Sequence, residues 1–166
     1  LTRVDVTLGP EMKSTGEVMG KDSTLEKALY KGLIGAGRKV PLHGSILFTI
    51  DDVNKPEAAR LAKRFYDIGF KIWATRGTSR YFNELNIPTK IGYKIEEETE
   101  NLISLIQKGK VQYVVNTTTK GKQSMNDGFL IRRTSVENGV PCLTSMDTVE
   151  AILKVVESMS FKMQAM

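Results

Sequence analysis

The sequence alternates short apolar runs with amphipathic segments, and this alternation constrains the fold more than any other feature. Helical segments follow the runs, as shown by the apolar spacing of Ala58, Leu61 and Phe65. Such an alternation is typical of a parallel sheet covered by helices on both faces. We therefore predict an α/β fold with an open, parallel, five-stranded sheet. The expected strands span residues 45–50, 70–75, 89–95, 111–116 and 141–145.

Several residues are placed to begin or end the predicted helices. Pro56 suits the first turn of the helix after the first strand, and Gly69 suits its end. Thr78 is predicted to be the N-cap of the helix after the second strand. Asp147 and Glu150 have the spacing of a capping box at the start of the last helix.

Composition excludes several classes of protein. No apolar stretch approaches the roughly 20 residues of a membrane span, and the single Cys142 excludes an internal disulfide or a cysteine metal cluster. The net charge of +5 favours anionic ligands. The basic residues are nevertheless dispersed among acidic ones, unlike those of a nucleic-acid-binding surface. We expect a soluble, cytoplasmic protein that binds neither a metal, a membrane nor nucleic acid.

The first 40 residues do not join the alternation. Residues 23–37 are predicted to form a helix, with Ser23 and Glu26 as its capping box, and the basic segment 38–44 resembles a linker. The sequence starts with Leu and lacks a secretory signal, so we expect a piece of a longer protein. The predicted organisation is a leading segment and linker, a domain and a tail, at residues 1–40, 41–160 and 161–166.

Loops that follow parallel strands emerge at one edge of the sheet, where ligands bind. Two of these loops, residues 75–79 and 116–122, combine hydroxyls, glycine and a helix start. Free amide hydrogens and the positive end of a helix favour phosphate there. Each residue alone is better explained as a cap, a turn former or a solvated lysine, but their convergence favours an anion site. The candidates are Lys55, Thr75, Arg76, Gly77, Thr78, Lys94, Asn116, Thr117 and Thr118.

These motifs also resemble a known family, the methylglyoxal-synthase-like domain at the carboxyl end of the large chain of carbamoyl-phosphate synthase. Residues 8–20 resemble the end of that chain's second ATP-grasp module, so the resemblance covers nearly the whole sequence. It implies Rossmann-like layers and assigns residues 1–40 to the end of the ATP-grasp module with a connecting helix. The matching segments are LFTI (47–50), NK (54–55), ATRGTS (74–79), GYKI (92–95), VVNTTT (114–119) and IRRTSVENGVPCLTS (131–145).

The resemblance implies a regulatory role. Domains of this family bind a nucleotide, UMP as an inhibitor and in some members IMP, and bias distant ATP-using sites. Matching Lys94 to the family requires a one-residue gap near Pro88, so Lys90 remains a rival. The phosphate-binding residues implied by the resemblance are Lys55, Thr75, Thr78, Lys94, Asn116 and Thr118.

The resemblance also implies a parent enzyme. It would be a ligase that makes carbamoyl phosphate from bicarbonate, ATP and glutamine-derived ammonia for pyrimidine and arginine biosynthesis. It would use ATP with Mg²⁺ and K⁺. Its partners would be the other domains of the large chain and the glutaminase small chain. The fragment itself is expected to hold no cofactor and no catalytic residue.

Two alternatives bear on the effector and on the function class. Ornithine-activated members have a tyrosine where this chain has Cys142, although Thr144 fits the accompanying threonine, so we do not expect ornithine activation. A methylglyoxal-synthase-type lyase, acting on a triose phosphate, would require a carboxylate base beside the phosphate and a histidine. The single His43 precedes the first strand, and the acids Asp51 and Asp52 are better explained as capping residues of a solvated loop.

Overall fold

The computed structural model describes residues 40–93, 101–117 and 122–165, and in the last stretch it describes side chains over residues 127–161. The strands are β1 (Ser45–Thr49), β2 (Lys71–Ala74), β3 (Lys90–Ile91), β4 (Tyr113–Asn116) and β5 (Cys142–Leu143). The helices are α1 (Lys55–Asp67), α2 (Arg76–Glu84), α3 (Leu102–Gln107), α4 (Lys122–Glu137) and α5 (Met146–Ala165). A short 3-10 helix (Asp52–Asn54) precedes α1.

All five strands are parallel and lie in the order β3-β2-β1-β4-β5. This arrangement confirms the predicted fold class. The chain moves outward from β1 to β3 and then crosses back to β4, on the other side of β1. In open α/β sheets such a reversal creates a crevice at the carboxyl ends of the two strands, where ligands bind.

Helices cover both faces of the sheet. Successive residues of a strand pack alternately into one of two apolar clusters, one on each face. Ile46 and Phe48 pack with the apolar residues of α1, α2 and α5. Leu47, between them, packs on the opposite face with Leu102 of α3 and Ile131 of α4. Burial of both faces explains why the strands are continuous apolar runs in the sequence.

The start of α2 differs from the prediction. The helix begins at Arg76, and Thr75 is the N-cap residue, with an extended backbone (ψ 163°). The backbone amide of Ser79 donates to the carbonyl of Thr75 over 2.7 Å, which closes the first turn at that point. The prediction that Thr78 is the N-cap is therefore wrong, because Thr78 already lies in the first helical turn.

The predicted capping box of the last helix is also wrong. The hydroxyl of Ser145 accepts a hydrogen bond from the backbone amide of Thr148 over 3.2 Å, at the start of α5. Asp147 lies within the first turn. The carboxylate of Glu150 instead forms an ion pair with Arg60 of α1 over 3.1 Å, since α1 and α5 pack side by side.

The first described residues pack on the face of the sheet that α1 and α5 cover. Val40 and Leu42 pack against the apolar core, and the carbonyl of Pro41 accepts a hydrogen bond from the hydroxyl of Tyr113 over 2.7 Å. Helix α5 continues to Ala165, past the predicted boundary at residue 160. The predicted helix at 23–37 lies outside the described residues. In the part of the chain that is described, no helix combines the length and apolarity that crossing a membrane requires.

Candidate functional site

A row of polar residues follows the carboxyl edge of the sheet across three adjacent strands. Thr49 of β1 pairs with Asn116 of β4, and the pairing of Phe48 with Ala74 places Thr75 beside Thr49. Neighbouring strands lie about 4.8 Å apart, so the row spans roughly 10 Å. Thr49 is at its centre, and the crevice between β1 and β4 lies on one side of Thr49.

The side chain of Asn116 is the most informative group in this row. It is only 4% exposed, and its Oδ1 accepts a hydrogen bond from the hydroxyl of Thr49 over 2.6 Å. The same hydroxyl lies 3.1 Å from the carbonyl of Val115, which fixes Thr49 in the crevice. Among the described residues, Nδ2 of Asn116 has no hydrogen-bond partner. Leaving such a donor buried and unpaired costs about 1–3 kcal/mol, so its presence requires an explanation.

Gly128 of α4 leaves space beside this amide. A Cβ atom on Gly128 would lie 3.2 Å from Nδ2 of Asn116 and 3.2 Å from Nη1 of Arg132. The glycine thus allows an amide and a guanidinium to approach the same point. Two groups that can only donate hydrogen bonds therefore border one small space, which favours an acceptor such as a phosphate or carbonyl oxygen.

A second group of residues forms where the loops after β1 and β2 meet. Nζ of Lys55 lies 3.6 Å from the point that a Cβ on Gly77 would occupy, at the start of α2. The Thr75 hydroxyl donates to that of Thr78 over 3.3 Å, and Thr78 is only 1% exposed. The first amides of a helix lack intrahelical acceptors, and they carry its positive partial charge. A cation, two hydroxyls and a helix terminus therefore meet here.

Lys55 forms an ion pair with Asp52 within the protein. Its ammonium donates to the carboxylate of Asp52 over 2.6 Å, and this hydrogen bond, with the charge of Lys55, lowers the pKa of Asp52. The Asp52 side chain is almost fully exposed. Exposed ion pairs contribute little stability, so Lys55 can exchange this partner for another anion.

A shallow groove of about 290 Å³ adjoins Lys55 on the outer side of α1 and α2. It contains acids as well as bases. For an anion it is therefore a less favourable site than the crevice beside Asn116. Its lining residues are Asp52, Lys55, Pro56, Gly77, Arg80, Tyr81 and Glu84.

The other predicted phosphate-binding residues take varied positions. The hydroxyl of Thr117 accepts a hydrogen bond from the backbone amide of Asp51 over 2.9 Å, which ties the loops after β1 and β4 together. The guanidinium of Arg76 lies 4.9 Å from the ring centroid of Tyr93. Lys94 and Thr118 lie outside the described residues.

The rival residue Lys90 lies one residue before the carboxyl end of β3. It pairs with Trp73, two residues before Thr75, and its ammonium lies 5.5 Å from the centroid of the Trp73 ring. Trp73 itself is only partly buried, against the α3 and α4 face. The structure thus brings the predicted residues together in two groups, one at α2 and one at the ends of β1 and β4.

Three residues of the site were not predicted from the sequence. Thr49 and Arg132 were not candidates, and neither was Gly128. The role of Thr49 becomes visible only in the structure, where the register of β1 against β4 places it opposite Asn116. A glycine inside a helical segment was the one available signal for Gly128, since such a glycine often marks a packing or functional requirement.

The predicted second effector residues do not share a surface. Cys142 is fully buried in β5, where burial raises the pKa of its thiol to about 12, whereas Thr144 is exposed. The exposed His43 precedes β1, at the opposite edge of the sheet from the site. Asp51 caps the 3-10 helix, because its carboxylate accepts from the backbone amide of Asn54 over 3.2 Å.

Comparisons with known proteins agree with this architecture. Residues 57–144, more than half of the chain, match the family model described as the MGS-like domain. Among solved structures, the chain is similar to a protein described as ForH, with a TM-score of 0.55 and 16% sequence identity. That alignment covers 71% of this chain and 80% of ForH. At this identity the likeness shows the fold alone.

Proposed function

The chain belongs to the family of MGS-like domains, and we propose that it is a regulatory member that binds the phosphate of a nucleotide. In this proposal it is the allosteric domain of a carbamoyl-phosphate synthase large subunit. UMP is the first candidate effector and IMP is the second. Methylglyoxal synthase shares the fold, so the choice between regulator and enzyme rests on the residues of the site.

The amide of Asn116, which has no partner for Nδ2 among the described residues, carries the proposal. Its Oδ1 is held by Thr49, which aims Nδ2 away from β1 and toward Gly128. A fixed, dehydrated donor at the crevice of a parallel sheet is suited to a ligand oxygen. An oxygen of the nucleotide phosphate would supply the missing acceptor, and charge-assisted hydrogen bonds of this kind are about twice as strong as neutral ones.

Lys55 and the start of α2 would supply the charge. In the free protein Lys55 is paired with Asp52, and a bound phosphate would compete with that carboxylate. The hydroxyls of Thr75 and Thr78 and the first amides of α2 would bond further phosphate oxygens. Gly77 adds no side chain at this point, so the phosphate can approach the backbone.

Binding alone would not regulate a distant site. A nucleotide shifts an equilibrium only when it binds one arrangement of the domain and its parent more tightly than another. We therefore expect this chain to bind UMP by itself and to transmit the signal only within the parent enzyme. Typical coupling energies correspond to changes of roughly 5- to 150-fold in the affinity at the other site.

The alternative is a lyase that eliminates phosphate from a triose phosphate. The observation in its favour is that the Asp52 carboxylate lies beside the cation of Lys55, within the candidate site. A general base works best with a pKa near the operating pH, whereas the hydrogen bond from Lys55 lowers the pKa of Asp52. Asp51 is already engaged as a cap. These two carboxylates therefore favour a binding role over proton abstraction.

Calorimetric titration of this chain with UMP, IMP, ornithine and inorganic phosphate tests the proposal. We expect saturable UMP binding that Asn116→Ala weakens by about 10- to 100-fold, the value of one hydrogen bond to a charged group. Asn83→Ala, which changes an exposed asparagine of α2 outside the site, is the matched control. Unchanged UMP affinity in Asn116→Ala would contradict the proposed site. Release of inorganic phosphate from dihydroxyacetone phosphate would favour the lyase.

A further inference from the structure

Arg132 of α4 is a half-buried arginine. Arg60, Arg64 and Arg133 each form an ion pair with a glutamate. Within the described residues, no carboxylate forms such a pair with Arg132. A guanidinium stays charged in proteins, and burying a charge is costly unless an anion lies nearby. The guanidinium of Arg132 is therefore suited to an anion that a ligand supplies.

Gly128 brings Arg132 close to the buried amide of Asn116. It precedes Arg132 by about one helical turn, and the side chains of a helix lean toward its N-terminus. A Cβ atom on Gly128 would lie 3.2 Å from Nη1 of Arg132 and 3.2 Å from Nδ2 of Asn116. The two nitrogen atoms are therefore no more than 6.4 Å apart, which is twice that distance.

This separation fits two donors that bond a single anionic group. Charge-assisted hydrogen bonds are about 2.8 Å long, so donors up to about 5.6 Å apart can share one oxygen, and two oxygens of one phosphate reach further. A glycine within a helix lowers stability relative to alanine. A ligand oxygen in the space beside Gly128 would give this glycine a function.

The electrostatics of Cys142 indicate that the guanidinium of Arg132 faces the sheet. Burial raises the pKa of the Cys142 thiol, and the positive charge of Arg132 acts against that shift. Cys142 belongs to β5, which pairs with β4. The adjacent Arg133 is exposed, and its guanidinium bonds the carboxylate of Glu137 over 3.2 Å. The two neighbouring arginines of α4 therefore have different surroundings.

We propose that Arg132 is a binding residue of the nucleotide site, and that its guanidinium and the amide of Asn116 bond the same phosphate group. This inference rests on the proposed function, because it assigns a second cation to the phosphate. Lys55 lies at the start of α2, on the β2 side of β1, whereas Arg132 lies on the β4 side. A phosphate monoester carries about −1.5 to −2 charges at pH 7, which two cations match better than one.

Calorimetric titration of the full chain with UMP and with inorganic phosphate tests this assignment. Arg132→Gln should weaken the binding of UMP by about 10- to 100-fold, the value of one hydrogen bond to a charged group. Arg132→Lys keeps the charge but loses the forked donors, so it should weaken binding by a smaller factor. Arg133→Gln is the matched control on the same helix, and it should leave the affinity unchanged. Circular dichroism checks that each variant is folded.

A double-mutant cycle shows whether Arg132 and Asn116 act on one group. The combined loss in Arg132→Gln with Asn116→Ala should differ by at least about twofold from the product of the two single losses, because residues that share a partner are not independent. Arg133→Gln combined with Asn116→Ala should show no such difference.

The outcomes separate this inference from the proposed function. UMP affinity that is unchanged in both Arg132 variants would overturn the inference and leave the nucleotide site standing. Equal losses in Arg132→Gln and Arg133→Gln would also overturn it, since a general effect of charge would then explain both. Binding of phosphate but not of UMP, weakened by Arg132→Gln, would support Arg132 and refute the proposed nucleotide. If neither ligand binds, both proposals are wrong.

Discussion

The substitution Asn116→Ala should weaken nucleotide binding without destabilising the free protein. It removes the hydrogen bond between Oδ1 and the hydroxyl of Thr49, a contribution of about 1 kcal/mol. It also removes Nδ2, which is buried without a partner in the described part of the chain, a cost of about 1–3 kcal/mol. The Thr49 hydroxyl keeps the carbonyl of Val115 as an acceptor. The expected change in the free energy of unfolding is therefore between zero and a gain of about 2 kcal/mol.

The substitution Thr49→Val is the matched comparison, because it alters the other partner of the same hydrogen bond. Valine keeps the shape of threonine but removes the hydroxyl, so Oδ1 of Asn116 loses its donor as well. Both polar atoms of the amide would then be buried without partners, and we expect a loss of about 2 kcal/mol. For a chain of 166 residues, 1 kcal/mol corresponds to a shift of roughly 2–4 °C in Tm.

Urea unfolding with and without UMP distinguishes these cases. Wild-type protein at a UMP concentration of 100 times Kd should gain about 2.7 kcal/mol, whereas Asn116→Ala at the same concentration should gain much less. In the absence of UMP, Asn116→Ala should unfold at the same or a higher urea concentration than wild type, and Thr49→Val at a lower one. The reasoning would be refuted if Asn116→Ala were destabilised as much as Thr49→Val, since Nδ2 would then have a stabilising partner in the free protein.

Three further predictions concern pH, the α4 glycine and the contact between α1 and α5. Burial raises the pKa values of Cys142 and Tyr113, so the unfolded state loses these protons first. The contribution of these two groups to stability should be constant below about pH 8 and fall through pH 9 and above, by up to about 1.4 kcal/mol per pH unit and group. Urea unfolding of Cys142→Ala should show a smaller fall between pH 9 and 10, and an equal fall would contradict the assignment. Gly128→Ala should weaken UMP binding in calorimetry, since its Cβ would lie 3.2 Å from Nδ2 of Asn116. This close contact opposes the gain of about 1 kcal/mol that alanine brings within a helix, so Tm should change little. Glu150→Ala should cost less than about 1 kcal/mol, because its ion pairs with two arginines of α1 are partly exposed, and a difference that persists in 1 M salt would show a role beyond charge.

The sequence by itself determined the fold class and the order of the elements. Strand and helix periodicity are local properties, and each depends on residues no more than a few positions apart. A helix end was marked in the same local way, as Gly69 shows with its φ value of 102°. Local signals were less reliable where several polar residues competed for one role. Thr75 and Thr78 are both good N-cap residues, and the end of β2 decided between them.

The tertiary structure alone decided which predicted residues meet. Thr49 and Asn116 are 67 residues apart, and only the pairing of β1 with β4 places their side chains within 2.6 Å. The register of β3 placed Lys90 beside Trp73, and the packing of α4 placed Gly128 beside the buried amide. Periodicity indicates which side of a strand or helix is buried. It does not say which residues of a distant segment will lie opposite, because that pairing forms through hydrogen bonds and burial between segments far apart in the sequence.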